Sequence, residues 1–327
     1  MPLGTNGDAL ACGFPYGNCC SDAGLVHSAD LRQCAQTGGS VPNPAILLAI
    51  SAAAAWAIGM TAAKPGIRHM DLISYILARW LLVSVLALIY ALATQKLAFP
   101  GWWPILLATG AGVLDSTFGG LFYLMAMERT SAHQTTTLSS TAPLWGVLGA
   151  VLVLGEPLVW TVIIAAILVI AGAVFLTERR HSARPKAWLG AAFALITGVL
   201  WGFAETVPAK LALQEGMTPE TLLLVFALSG ALGMFVLLPL LRPRIPRRVD
   251  RRGIIFVVLA VGGAFFGWLL WLHALNLAPA SVISPVRGST LLFAFVYSVL
   301  FLKERPTARA FIGIMLVAAG VLLVSLS

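Results

Sequence analysis

The stretch Ala126–Leu176, AMERTSAHQTTTLSSTAPLWGVLGAVLVLGEPLVWTVIIAAILVIAGAVFL, decides the fold because the chain contains a related copy of it further on. Shifted by 148 residues it falls on Ala274–Val324 without a gap, matching Leu154 and Glu156 to Leu302 and Glu304, and Leu168, Val169, Ala171 and Gly172 to Leu316, Val317, Ala319 and Gly320. The same shift extends N-terminally, pairing Phe118, Gly119, Leu121 and Leu124 with Phe266, Gly267, Leu269 and Leu272. At a nearby offset Ala63-Lys64 meets Ala209-Lys210, and Trp56 aligns with Trp201. The chain therefore reads as one unit duplicated.

The unit is made of membrane-spanning helices. Of 327 residues 59% are hydrophobic and only 10% charged, too little polar surface for a soluble protein of this length. Apolar runs long enough to cross a hydrocarbon core about 30 Å thick recur at 44–63, 72–93, 102–126, 133–154, 159–177, 187–212, 219–241, 253–275, 280–302 and 307–325. Stretches such as Ala165–Leu176 are apolar on every face, which excludes the alternation of barrel strands. The expected fold is all-α, a polytopic membrane protein of ten transmembrane helices in two five-helix repeats, 44–178 and 187–325. An odd number of spans per unit makes the second copy enter from the opposite side, so the repeats are inverted, a common skeleton of alternating access.

The net charge of +8 does not point to nucleic acid, because the basic residues sit in short links between apolar spans. Most of them, including Lys64, Arg68, Arg129, Arg179, Arg180 and the cluster Arg242–Arg252, fall in links on one side, whereas Arg32, Lys96 and Lys210 represent the other. The positive-inside rule then places both termini outside. Residues 1–43 are rich in Gly, Asn and Ser and read as a disordered tail or an overextended start. An external tail leaves open two disulfides among Cys12, Cys19, Cys20 and Cys34, while no Cys-x-x-Cys pair suggests a metal.

The run Ala126-Met127-Glu128-Arg129-Thr130-Ser131-Ala132, then Pro143, then Leu154-Gly155-Glu156-Pro157 and a span containing Gly172, repeated as Ala274–Ala280, Leu302-Lys303-Glu304-Arg305 and Gly320, resembles the EamA-type repeat of the drug/metabolite transporter superfamily. The resemblance covers residues 44–325. It implies a central cavity lined mainly by spans 1, 3, 4, 6, 8 and 9, with spans 5 and 10 peripheral, and both termini cytoplasmic, opposite to the charge bias. The sequence departs from the motif at Leu291, which stands where the first copy has Pro143; Pro285 marks the break in the ninth span.

Ionised side chains in mid-membrane cost about 2.5–3.5 kcal/mol on insertion scales, so each is a site candidate. Four qualify: Arg79, Asp115, Glu205 and Arg287. Asp115 aligns with Gly263, Arg287 with Ser139, and Glu205 with Gly59 or Met60, so these three break the symmetry of the repeat, as a binding site does. Glu205 shares a helical face with Trp201 and Thr197; a carboxylate beside an indole can hold a cation or a proton, or can reach the headgroups beside Lys210. Asp115 stands beside Ser116 and Thr117 as a second cation or proton site, or pairs with Arg79 or Arg287. Arg287, on a face with Ser284 after Pro285, suits a carboxylate or phosphate, or a pair with either acid. Arg79 reads as structural. Trp56, Tyr123, Trp201, Trp268 and Trp271 supply aromatic surface, and Gln134, Thr137, Ser140 and Thr141 supply hydrogen-bonding groups. His273 is placed at the membrane interface, and Glu156 and Glu304 are expected to cap the next helix or pair with basic link residues.

These residues point to a secondary transporter, an exporter or exchanger of a small polar, amino-acid-like or zwitterionic metabolite. It works by alternating access in the plasma (inner) membrane, with coupling to protons or another ion and no bound cofactor. A carrier of hydrophobic cations is the alternative within the class; a non-transporting sensor or an intramembrane enzyme is the alternative outside it. The absence of His-Glu-x-x-His and of a Gly-x-Ser-x-Gly elbow weighs against the enzyme. The partners expected are the lipid bilayer and a small-molecule substrate, with no nucleic acid, and a homodimer is left open.

Overall fold

A computed structural model describes residues 43–66, 72–129, 135, 138–176, 187–241, 251–302 and 307–325. The cysteine-containing tail and the expected site residues Gln134 and Thr137 lie outside the described residues. The described residues are helical and contain no strand. The helices are α1 (Asn43–Gly66), α2 (Leu72–Thr94), α3 (Trp102–Gly112), a π-helical turn (Val113–Gly119), α4 (Gly120–Arg129), α5 (Ala142–Val153), α6 (Trp160–Leu176), α7 (Ala187–Gln214), α8 (Pro219–Leu241), α9 (Arg251–Leu277), α10 (Ala280–Val286), α11 (Ser289–Leu302) and α12 (Ala308–Ser325).

Among the described residues, seven helical segments are long and apolar enough to cross a membrane, and Ala142–Val153, Trp160–Phe175 and Phe311–Leu323 are apolar but shorter. Large side chains such as Leu152, Val236, Leu240 and Phe301 are more than 70% exposed, a surface that only lipid solvates well. Trp102, Trp160 and Trp188 stand exposed at the first turns of their helices, where indoles suit the headgroup boundary.

Three expected spans are interrupted. The fourth breaks at a turn at Ser140-Thr141 just before α5. The third is one continuous rod except for the π-helical turn around Asp115, which no sequence pattern announced. The ninth divides at Arg287-Gly288, just after Pro285, whose ring removes a ladder donor. The link after α5 turns through Gly155 at φ 68°, and α7 ends on Gly216 at φ 87°. There the Gly216 amide donates to Leu213 O and that of Met217 to Ala212 O, the pair of hydrogen bonds that closes a helix on a residue in the left-handed conformation.

The core is built on α8 and α9. Phe226 lies between Trp80 at 5.6 Å and Trp268 at 4.1 Å between ring centroids. Around it α1 packs along α9, α2 on α8, α3 on α7 and α8, α4 and α5 on α7, and α11 on α1. Away from this centre α6 packs on α12. Without strong apolar attraction between helices in lipid, close backbone approach is what holds such a pair, and small residues permit it. A Cβ on Gly172 would stand 2.6 Å from the Gly313 carbonyl, and one on Gly320 would stand 2.8 Å from that of Ala165. Gly172→Leu is therefore expected to destabilise the protein by about 1–3 kcal/mol. In detergent its apparent Tm should fall by several degrees, whereas Gly262→Ala, whose added Cβ meets nothing within 4 Å, should leave it unchanged.

Candidate functional site

The π-helical turn adds a residue to the helical register and brings Asp115, Ser116 and Thr117 against neighbouring helices. It is held where Gly230 and Gly233 of α8 let the backbones approach, with Thr117 Oγ1 donating to Gly230 O at 3.3 Å. From α7 the Trp201 indole N–H donates to the Asp115 carbonyl at 3.1 Å and its ring lies 5.2 Å from that of Tyr123. Asp115 is 5% exposed; its carboxylate accepts from Ser116 Oγ at 3.1 Å and faces the carboxyl group of Glu205.

Glu205, 3% exposed, points into the bundle and not to the headgroups. Arg287 Nη2 donates to its Oε1 at 2.6 Å, and Arg287 Nε pairs with Oε2, so guanidinium and carboxylate meet fork to fork. The break after Pro285 delivers Arg287 to this position, and its guanidinium lies 5.5 Å from the Trp56 ring centroid. Pro208 interrupts the ladder of α7 one turn after Glu205, and in that turn the Trp271 indole donates to the Glu205 carbonyl at 3.1 Å.

These groups line a cavity of about 260 Å³. Of the residues expected at a site, Asp115, Glu205, Arg287, Trp56, Trp201 and Tyr123 are brought together in its wall, with Arg79 as the fourth charge. Trp271 and Ser284 are not in the wall: Trp271 is fully buried behind Glu205, and Ser284 bonds to Thr206 at 3.3 Å beneath it. Trp268 faces the cavity where Trp271 does not, one helical turn off on the same helix. Tyr75, Trp80 and Ser139 also line it and were not read as site residues; the spacing of four between Tyr75 and Arg79 was the available signal.

At the helix ends away from the basic links, charges close helix termini. Glu156 does not cap the next helix in the chain: its carboxylate accepts from the Ala280 amide at 2.8 Å and the Ser281 amide at 2.6 Å, at the start of α10. Glu304 lies outside the described residues. Lys210 donates to the carbonyls of Leu275 at 2.5 Å and Ala278 at 2.9 Å, where α9 ends. Glu220, 1% exposed, pairs with Lys96 at 3.3 Å and stands 3.5 Å from His273 Nε2, so His273 faces a buried acid as well as the boundary. No group of metal-ligating side chains occurs among the described residues.

A helical membrane protein with a charged, aromatic-walled cavity at its centre has the form of a small-solute carrier. The model of the EamA-like transporter family matches residues 43–178 and again 188–326, and the chain belongs to that family. It is 24% identical to an uncharacterized transporter of Archaeoglobus fulgidus over 288 residues, covering 86% of this chain and 98% of that one. An uncharacterized transporter of Helicobacter pylori J99 is 25% identical over 214 residues, covering 63% and 69%. A solved structure with 18% identity superposes with a TM-score of 0.73 over 86% of this chain and 96% of its own, a likeness of fold alone.

Breaking a buried ion pair by removing one partner costs about 3–5 kcal/mol, more than removing both. Arg287→Met should therefore lower the Tm of the detergent-purified protein further than the Glu205→Gln/Arg287→Met double variant. Equal losses would show that the pair carries no coupling energy.

Proposed function

We propose that this membrane transporter is a secondary exporter or exchanger of a small zwitterionic metabolite, working by alternating access through the central cavity. The observation that carries the reading is the charge content of that cavity: two acids, Asp115 and Glu205, and two arginines, Arg79 and Arg287, in a wall otherwise built from aromatic and small side chains. Such a site is neutral as a whole and dipolar in detail. A zwitterion enters it without leaving a net charge in the low-dielectric interior, whereas a simple ion does not. The cavity volume suits a small metabolite better than a drug-sized molecule.

The architecture behind the proposal is ten spans in two inverted repeats. It is supported by the double match of the family model and by the packing of α6 on α12. In that contact Gly172 meets Gly313 and Gly320 meets Ala165, and the 148-residue shift exchanges the two pairs, as a twofold axis between the helices would. Helix breaks before α5 and before α11 fall at matching points of the two copies.

Coupling is assigned to Glu205. While ionised it holds Arg287 and locks α7 to the α10–α11 break; a proton on Glu205 removes the charge that holds the pair and lets the two elements part. The bias of basic links supports their lying on the cytoplasmic side of the plasma membrane, with both termini outside. The aromatic wall with Asp115 also suits a hydrophobic cation, which the same experiment separates. Vesicles containing the protein and loaded with a metabolite extract should release a zwitterionic solute when a pH gradient is imposed. Glu205→Gln should keep solute exchange while losing the response to the gradient. Release of organic cations alone would favour the second reading, and no gradient-dependent flux of any solute would refute transport of either kind.

A further inference from the structure

The π-helical turn at Val113–Gly119 is not the product of an inserted residue. The 148-residue shift sets it without a gap on Val261–Gly267, which runs as regular α-helix inside α9. What differs between the copies is the neighbour. In the second copy Gly263 crosses α1 at Gly59, and a Cβ on Gly263 would stand 2.8 Å from the Gly59 amide nitrogen, so two bare backbones touch. In the first copy Asp115 takes the place of Gly263 and, with Lys210 set on Lys64, Glu205 takes the place of Gly59. Two carboxyl side chains do not fit where two hydrogens meet, and the helix yields by widening into a π turn. The Gly120 amide, five residues on, then donates to the Asp115 carbonyl, whose second lone pair receives the Trp201 indole N–H at 3.1 Å. Trp201 reaches it because Gly119 has no side chain: a Cβ there would stand 2.6 Å from the indole nitrogen. The Trp201 ring meanwhile rests on Tyr123, so its face and its donor edge have separate tasks.

We infer that Trp201 is a positioning residue: through its indole N–H it holds the π turn, and the turn holds the Asp115 carboxyl against Glu205 in the cavity wall. Without that bond the turn relaxes towards the regular helix that the second copy adopts. One residue of helical register is about 100° of rotation, enough to swing Asp115 away from Glu205. Thr117, bonded to Gly230 O and packed against Gly233, sits in the same turn and moves with it. Trp201 thus has a role apart from the aromatic wall, one that concerns helix register and holds for any solute.

Disulfide trapping reads the register directly, in the full chain with its four cysteines replaced by serine. A Cβ on Gly233 would stand 3.1 Å from that of Thr117, and a Cβ on Gly146 3.1 Å from that of Ser284. Both separations fall a little short of the disulfide range of about 3.5–4.5 Å. Thr117→Cys/Gly233→Cys therefore reports on the π turn, and Gly146→Cys/Ser284→Cys, between α5 and α10, is the matched control. In oxidised membranes both pairs should cross-link. Trp201→Phe keeps a ring against Tyr123 and loses the donor. It should slow trapping of the first pair at least about fivefold, the shift expected for one neutral hydrogen bond, and leave the control within about twofold. Trapping of the first pair at an unchanged rate, or slowed together with the control, overturns the positioning role. So does a protein with Trp201 intact in which only the control pair forms. In vesicles, gradient-driven release should fall in step with the trapping rate; release lost while the first pair still traps at the original rate would make Trp201 a wall contact alone. Trapping requires no flux, so failure of the transport reading leaves this test standing.

Discussion

The pair between Glu205 and Arg287 joins α7 to the break between α10 and α11, both in the second repeat, where desolvation makes separation expensive. Taking either charge out of water costs several kcal/mol, and only the other's fork of hydrogen bonds offsets it. Glu205 is fixed by α7, which carries α4 and α5, while Arg287 hangs from the break between α10 and α11, which lies on α1. Whatever moves α7 relative to that break must replace a hydrogen bond and an ion-pair contact at once. The pair thus limits the geometries open to the bundle more sharply than apolar packing, which is weakly directional in lipid.

Helix ends show the same economy of charge. The amides opening α10 and the carbonyls closing α9 are satisfied by Glu156 and Lys210, which belong respectively to the link after α5 and to α7. The positive end of one helix dipole thus receives a carboxylate and the negative end of another an ammonium. Glu220, held between Lys96 and His273, adds a further polar contact at these helix ends.

Helical class and membrane residence were legible because both follow from apolar run length and from the demand that backbone groups be satisfied within the segment. The cavity's charges were legible one by one, since a mid-membrane Asp, Glu or Arg has few bland explanations. Their partners were not. Which acid Arg287 meets depends on a helix break and on a π-helical turn that leaves no periodic trace in Val113–Gly119. Trp268 and Trp271 sit three residues apart with similar surroundings in sequence, and only packing against α1 and α7 decides which faces the cavity. That Arg79 lies in the cavity wall beside Tyr75 is likewise a property of a three-dimensional neighbourhood.

The glycine-mediated contact of α6 with α12 bears on how the chain matures. The α6 helix emerges from the ribosome roughly midway through synthesis, yet the surface that covers Gly172 belongs to Gly313 and Val317 of the last helix described. The face of α6 that carries Gly172 therefore lacks its packing partner until α12 has been made and inserted.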